Sequence, residues 1–131
     1  MTTAQMLDTH PAAPDGDAAR LARAVDALLA CAQACTACAD ACLAEDMVAD
    51  LRTCIRTDLD CADVCDATAR VLSRQTAGDA QVTRALLEAC LTACRACAQE
   101  CERHADMHAH CRVCAEVCRA CEAACRELLA G

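Results

Sequence analysis

The chain contains no Phe, Tyr or Trp, and only 3 Gly and 2 Pro in 131 residues. A β-sandwich or barrel needs Gly- or Pro-marked turns every ten residues or so, so these scarcities exclude most all-β architectures. The missing aromatics remove the platforms on which nucleic-acid bases stack, and the formal net charge of -8 opposes a phosphate backbone. No nucleic-acid partner is therefore expected. The first residues, "MTTAQMLDTHPAAPDGD", have no basic start and no apolar run of signal length, and the longest uncharged stretches are short for a membrane span. The expectation is a cytoplasmic protein with no membrane partner, in a compartment where thiols stay reduced.

What the chain has is cysteine, 16 in all, and hydrophobic residues at 56%. The core must be built from Ala, Leu, Val and Cys. "CAQACTACADAC" at 31–42 and "CLTACRACAQEC" at 90–101 share the signature C-x3-C-x2-C-x3-C, and "CRVCAEVCRACEAAC" at 111–125 extends it by one cysteine. At 100° per residue, Cys31, Cys35, Cys38 and Cys42 fall within an arc of roughly 60°, and Cys90, Cys94, Cys97 and Cys101 repeat it. Cys111, Cys114, Cys118, Cys121 and Cys125 stay within roughly 80°. A further helix offers Cys54, Cys61 and Cys65, with Asp58 where a fourth cysteine would sit.

Asp17 reads as an N-cap, and no breaker follows for almost thirty residues, with Leu21, Val25 and Leu28 at helical spacing. "EDM" at 45–47 marks a reversal with Asp46 as candidate cap, and a second run reaches about Arg74. Gly78 and Asp79 mark a linker. A third helix runs from there to about Ala105, and a fourth from a turn near Asp106 to about Leu129. The expected fold is all-α: an up-down-up-down antiparallel four-helix bundle over 17–131, preceded by a flexible N-terminal extension over 1–16 with a short helical turn near Gln5–Asp8. Asp40, Arg95, Glu116 and Glu122 are placed on the solvent faces, which turns the cysteine stripes inward.

Three chemistries compete for such a core. Cysteine as a small apolar filler explains one or two positions but not 16 on one face of four helices, where Leu and Ala would serve without oxidising. Disulfides between i, i+3 or i, i+4 cysteines of one helix have poorly directed Cβ bonds and face a reducing cytosol. Soft metal ions remain. Zn(II) takes four thiolates and leaves two negative charges per site. Cu(I), bridged by shared sulfurs, approaches one ion per thiolate, which leaves a nearly neutral core with about 16 ions. Iron-sulfur clusters sit on loops that free backbone N–H groups for the sulfurs, and continuous helices withhold them. A Zn(II) or Cd(II) thiolate buffer and a thiol-disulfide redox protein stand as the alternatives. An enzyme fits poorly, because no triad-like pattern and no phosphate loop is present.

The cysteine-striped helices and the His/Met-containing hairpin resemble the cytosolic members of the bacterial copper storage proteins, over about residues 17–129. The resemblance implies Cu(I) held on cysteines inside a four-helix bundle, and a homotetramer of such bundles.

The cysteines crowd toward the end holding the turns near 46 and 106. Leu28, Leu72, Leu86, Leu87, Leu128 and Leu129 are left as a dry plug at the far pole. At the near pole Met107 and Met47 project onto the cysteine arcs of their helices and His104 lies close to the edge of its own, while His108 and His110 project less well. Thioether and imidazole are weaker holders of Cu(I) than bridging thiolates, so these groups form an expected mouth that passes ions to Cys42, Cys54, Cys101 and Cys111. Asp58 is read as a wall or mouth ligand, or as a carboxylate satisfied by a neighbour.

Overall fold

The structure, a computed structural model, describes residues 2–12, 14 and 16–131. Asp17 ends the leading segment as expected: its Oδ1 accepts the N–H groups of Ala19 and Arg20 at 3.0 and 3.2 Å. These bonds satisfy two of the donors left free at a helix start, and α2 follows from Ala18 to Leu43. A 3-10 turn, Val48–Leu51, leads into α3, Arg52–Ser73. Asp79 repeats the cap, its Oδ1 accepting from Gln81 and Val82 at 2.9 and 3.2 Å, and opens α4, Ala80–Glu102. The last helix, α5, runs from Ala109 to Ala130. Each long helix packs on two others, α2 on α3 and α5, and α4 on the same two, so the four form a closed square. The fold is the antiparallel four-helix bundle.

Several local expectations give way. Asp46 caps nothing; Met47 stands before the 3-10 turn without a side-chain cap bond. The helical turn expected at Gln5–Asp8 is a longer helix, α1, Thr2–Asp8, and it is docked rather than loose. Leu7 is buried in the main apolar cluster, and Thr3 Oγ1 donates to Asp26 Oδ1 of α2 at 2.6 Å. Met1, Ala13 and Asp15 of the expected extension lie outside the described residues. In the linker the left-handed residue is Ala77 at φ 53, not its neighbour Gly78, while Gly16 at φ 80 needs its missing Cβ.

Glu122, expected on a solvent face, is 7% exposed. Three guanidinium groups hold it: Arg95 at 3.2 Å, Arg119 at 2.9 Å and Arg126 at 3.0 Å. Burial raises its pKa, and the bonds to Arg119 and Arg95 outweigh this, so the carboxyl stays below its ordinary value. Helix α2 also departs from the membrane expectation. It is 26 residues long with an 18-residue window of mean hydropathy 1.3, enough by length and composition to cross a bilayer. Its apolar stripe is instead spent inside the bundle, where Leu28, Cys31, Cys35 and Cys42 are fully buried.

The far pole is leucine, except that Leu86, expected in the plug, is only half-buried and stands outside the cluster. Leu28, Leu72 and Leu87 are buried, and Leu128 and Leu129 pack against them; Leu7 and Leu21 add to the cluster. Leu28 has no exposed surface. Leu28→Ala is expected to lower the unfolding free energy of the copper-free protein by roughly 2–5 kcal/mol in anaerobic denaturant titrations. A loss below about 1 kcal/mol would show that the plug is not close-packed.

Candidate metal centre

All 16 cysteines are free thiols and all are buried, none above 2% exposed. The helical stripes of four elements converge because 3- and 4-residue steps keep a side chain on one face, and each stripe is the face its helix turns to the bundle axis. The result is a continuous column of sulfur. It starts next to the leucine pole with Cys125 and Cys90, 3.7 Å apart. Cys65 lies 3.6 Å from both Cys90 and Cys94, and Cys61 lies 3.8 Å from both Cys94 and Cys31. Cys118 then joins Cys31 at 3.7 Å to Cys35 at 3.5 Å. Cys97 and Cys114 continue from Cys35, each at 3.8 Å, and Cys101 and Cys54, 3.7 Å apart, lead to the near pole.

These spacings have a chemical meaning. With metal–sulfur bonds of about 2.3 Å, two ligands of a trigonal ion lie about 4.0 Å apart and two of a tetrahedral ion about 3.8 Å apart. The observed neighbours, at 3.5 to 4.0 Å, match three- or four-coordinate soft-ion geometry without moving a helix. Sets of four ligand atoms within 4.8 Å of one another recur along the column: Cys31, Cys65, Cys94 and Cys121; Cys35, Cys97, Cys114 and Cys118; Cys38, Cys42, Cys54 and Cys111. Sulfurs shared between neighbouring sets, such as Cys31 and Cys35, let adjacent ions be bridged.

Asp58 occupies the gap in the α3 stripe. It is fully buried, and its Oδ1 accepts thiols from Cys97 at 3.0 Å, Cys114 at 3.3 Å and Cys101 at 3.5 Å. Burial pushes its pKa up to about 12, helped by the hydrogen bond with Cys97, so the side chain is held as a neutral acid. Burial likewise raises the Cys42 and Cys111 thiols. Cys38 goes the other way: the neighbouring Cys101 thiol, then Cys54 and His110, prevail over burial and Cys114 and hold it down to about 6.

The mouth differs from the sequence reading. Met107 is 70% exposed in the α4–α5 turn and does not project onto the α5 stripe, because α5 begins only at Ala109. Met47 is exposed as well. His104 Nε2 meets Glu100 at 3.3 Å and no sulfur within bonding distance. His110, expected to project less well, is the residue that reaches the column, its Nδ1 3.4 Å from Cys38 Sγ and 3.6 Å from Cys111 Sγ. His108 is buried and stacks on the His110 ring at a centroid distance of 5.5 Å. The sequence reading missed Glu45, whose Oε2 lies 2.8 Å from His108 Nδ1 and 2.9 Å from His110 Nε2. Its position in the α2–α3 turn, at the same end of the bundle as the histidine-rich α4–α5 turn, was the available signal.

Comparison with known proteins agrees with this geometry. Residues 17–130 match the family model described as copper storage protein. A structure of the copper storage protein Ccsp from Streptomyces lividans, loaded with 10 copper equivalents, shares 65% identity with the chain at a TM-score of 0.97, covering 98% of each. A second structure, of copper loading to a cytosolic copper storage protein of S. lividans with five coppers, shares 69% identity at a TM-score of 0.85 over 86% of this chain and 94% of that one. An uncharacterized cysteine-rich protein of Bacillus subtilis, YhjQ, is 35% identical over 106 residues, 81% of this chain and 93% of its own length. The chain belongs to the copper storage protein family.

Proposed function

We propose that this protein stores copper in the cytosol as Cu(I), bound by all 16 cysteines, with Asp58 as an oxygen donor inside the column. The observation that carries the reading is the column of 16 buried free thiols, many with a sulfur neighbour at 3.5 to 4.0 Å and grouped in fours within 4.8 Å. A Cu(I)-filled column is nearly neutral when each ion displaces one thiol proton, whereas a Zn(II) tetrathiolate keeps two negative charges in the bundle interior. The S. lividans relatives were loaded with ten and with five coppers. Storage is the proposed role, not catalysis. The test is the number of Cu(I) ions bound at saturation and their resistance to zinc.

Ions enter at the near pole. There His110 spans from the rim to the Cys38 and Cys111 sulfurs, with His108 stacked on its ring, while Met47, His104 and Met107 stand in the turns of the same end. Imidazole binds Cu(I) less firmly than bridging thiolates do, so an ion captured by His110 moves downhill into the column. His110→Ala is expected to slow stopped-flow Cu(I) loading several-fold while the final capacity stays the same. Replacing His104 and Met107 together by Ala should slow it less, since neither reaches a sulfur. Loading by the His110 variant at the wild-type rate would sink this route.

A homotetramer follows from the family resemblance. Ala89, Ala93 and Ala96 line an outer groove between α3 and α4 that allows close helix–helix approach between subunits. Sedimentation of the copper-free protein decides it.

A further inference from the structure

We propose that Glu45, His108 and His110 form a separate site for a borderline divalent cation of the Zn(II) or Cu(II) class, set across the mouth of the sulfur column. Three elements build it. Glu45 stands in the turn after α2, His108 is the residue before α5 and His110 lies in its first turn. One carboxylate oxygen, Glu45 Oε2, faces His108 Nδ1 at 2.8 Å and His110 Nε2 at 2.9 Å. Metal bonds of about 2.0–2.2 Å to such ligands space them roughly 3.4 Å apart at tetrahedral angles, so opening each contact by about half an ångström admits the ion in place of the hydrogen bonds. The two rings lie near-parallel, 24° between planes, with centroids 5.5 Å apart.

The ligand set differs from the column in softness and in charge. Two neutral imidazoles and one carboxylate suit a divalent ion and leave a net charge of about +1, tolerable where Glu45 is 31% exposed and water completes the shell. Cu(I) gains little from a carboxylate. The same site could not serve the column interior, where thiolates would have to balance the ion's second charge. His110 joins the two environments, since its Nδ1 faces Cys38 and Cys111 while its Nε2 faces Glu45. A divalent ion on Nε2 would therefore fix the ring that the proposed loading route uses; this consequence rests on the storage reading, whereas the site itself does not.

The experiment uses the full chain loaded anaerobically with one Cu(I) per cysteine, so that the thiols are taken. It is equilibrated with Zn(II), dialysed, and assayed for both metals. Retention of about one zinc per chain is expected, falling roughly tenfold or more in Glu45→Gln and in His108→Gln. Co(II) in the same protein should give ligand-field bands without sulfur-to-cobalt charge transfer. No zinc retained, equal retention by both variants, or a cobalt–sulfur band would overturn the proposal. Copper content in the same dialysed sample reads the storage proposal separately. Glu45→Gln keeps its copper, because the carboxylate lies outside the thiol column.

Discussion

Anaerobic titration of the reduced protein with Cu(I) is expected to saturate near one ion per cysteine, about 16 per chain, set by charge neutrality in a buried core. The sulfur-to-copper absorption can be followed without interference, because the chain has no aromatic residue. The physical reason is the cost of buried charge. Each thiolate brings one negative charge to a site with no exposed surface, and a monovalent ion per sulfur is the filling that removes it. Burial favours the protonated thiol, as it does at Cys42 and Cys111, so each Cu(I) ion that takes a protonated thiol should release one proton into weak buffer. A plateau near one ion per four cysteines, with zinc displacing copper, would replace the storage reading with a divalent thiolate buffer. Stable disulfides forming instead of a plateau would favour redox chemistry.

Replacing Asp58 by Asn is expected to stabilise the copper-free protein at pH 8 and to remove part of its pH dependence. Burial takes the Asp58 pKa from 3.8 to about 12 on folding. Below 3.8 the acid is protonated in both states and folding meets no penalty. Above that value the unfolded chain loses the proton while the folded chain keeps it. Stability therefore falls as pH rises, by up to about 1.4 kcal/mol per unit, until the folded pKa is reached. Between pH 5 and 8 the full slope amounts to about 4 kcal/mol, and relaxation of the column reduces it to the order of 2–4 kcal/mol. Asn has the same shape, keeps an oxygen to accept the Cys97 thiol and does not titrate. Denaturant unfolding at pH 5, 6.5 and 8, under reductant, gives the difference between the two proteins. Parallel curves would mean that Asp58 is ionised or solvated in the folded state, against its burial.

Much of this molecule is written locally. Period and capping are short-range properties, so Asp17 and Asp79 announce the starts of α2 and α4, and the 3- and 4-residue steps between cysteines fix one sulfur face per helix. The copper reading came the same way, from ligand type, number and face. The mouth did not. Met107 and His104 were placed by extending ideal helices through a turn, and the chain leaves helical geometry at Arg103 and regains it only at Ala109. That break rotates Met107 outward and brings His110, not Met107, onto the column. Glu122 shows a second limit: helical angle alone put it on a solvent face, but Arg95 of the neighbouring helix, with Arg119 and Arg126 of its own, covers it.

The sequence by itself determined that four helices would each carry a stripe of soft ligands and that apolar and charged residues would leave those stripes facing one another. Both follow from angles along a single helix, which need no partner to be known. Tertiary structure alone decided which sulfurs are neighbours, that Asp58 meets three thiols from two other helices, and that Glu45 closes on two histidines more than sixty residues away. Such contacts depend on the relative height and rotation of separate helices. Packing of the leucine pole and the geometry of the turns set these, and no periodicity within one helix encodes them.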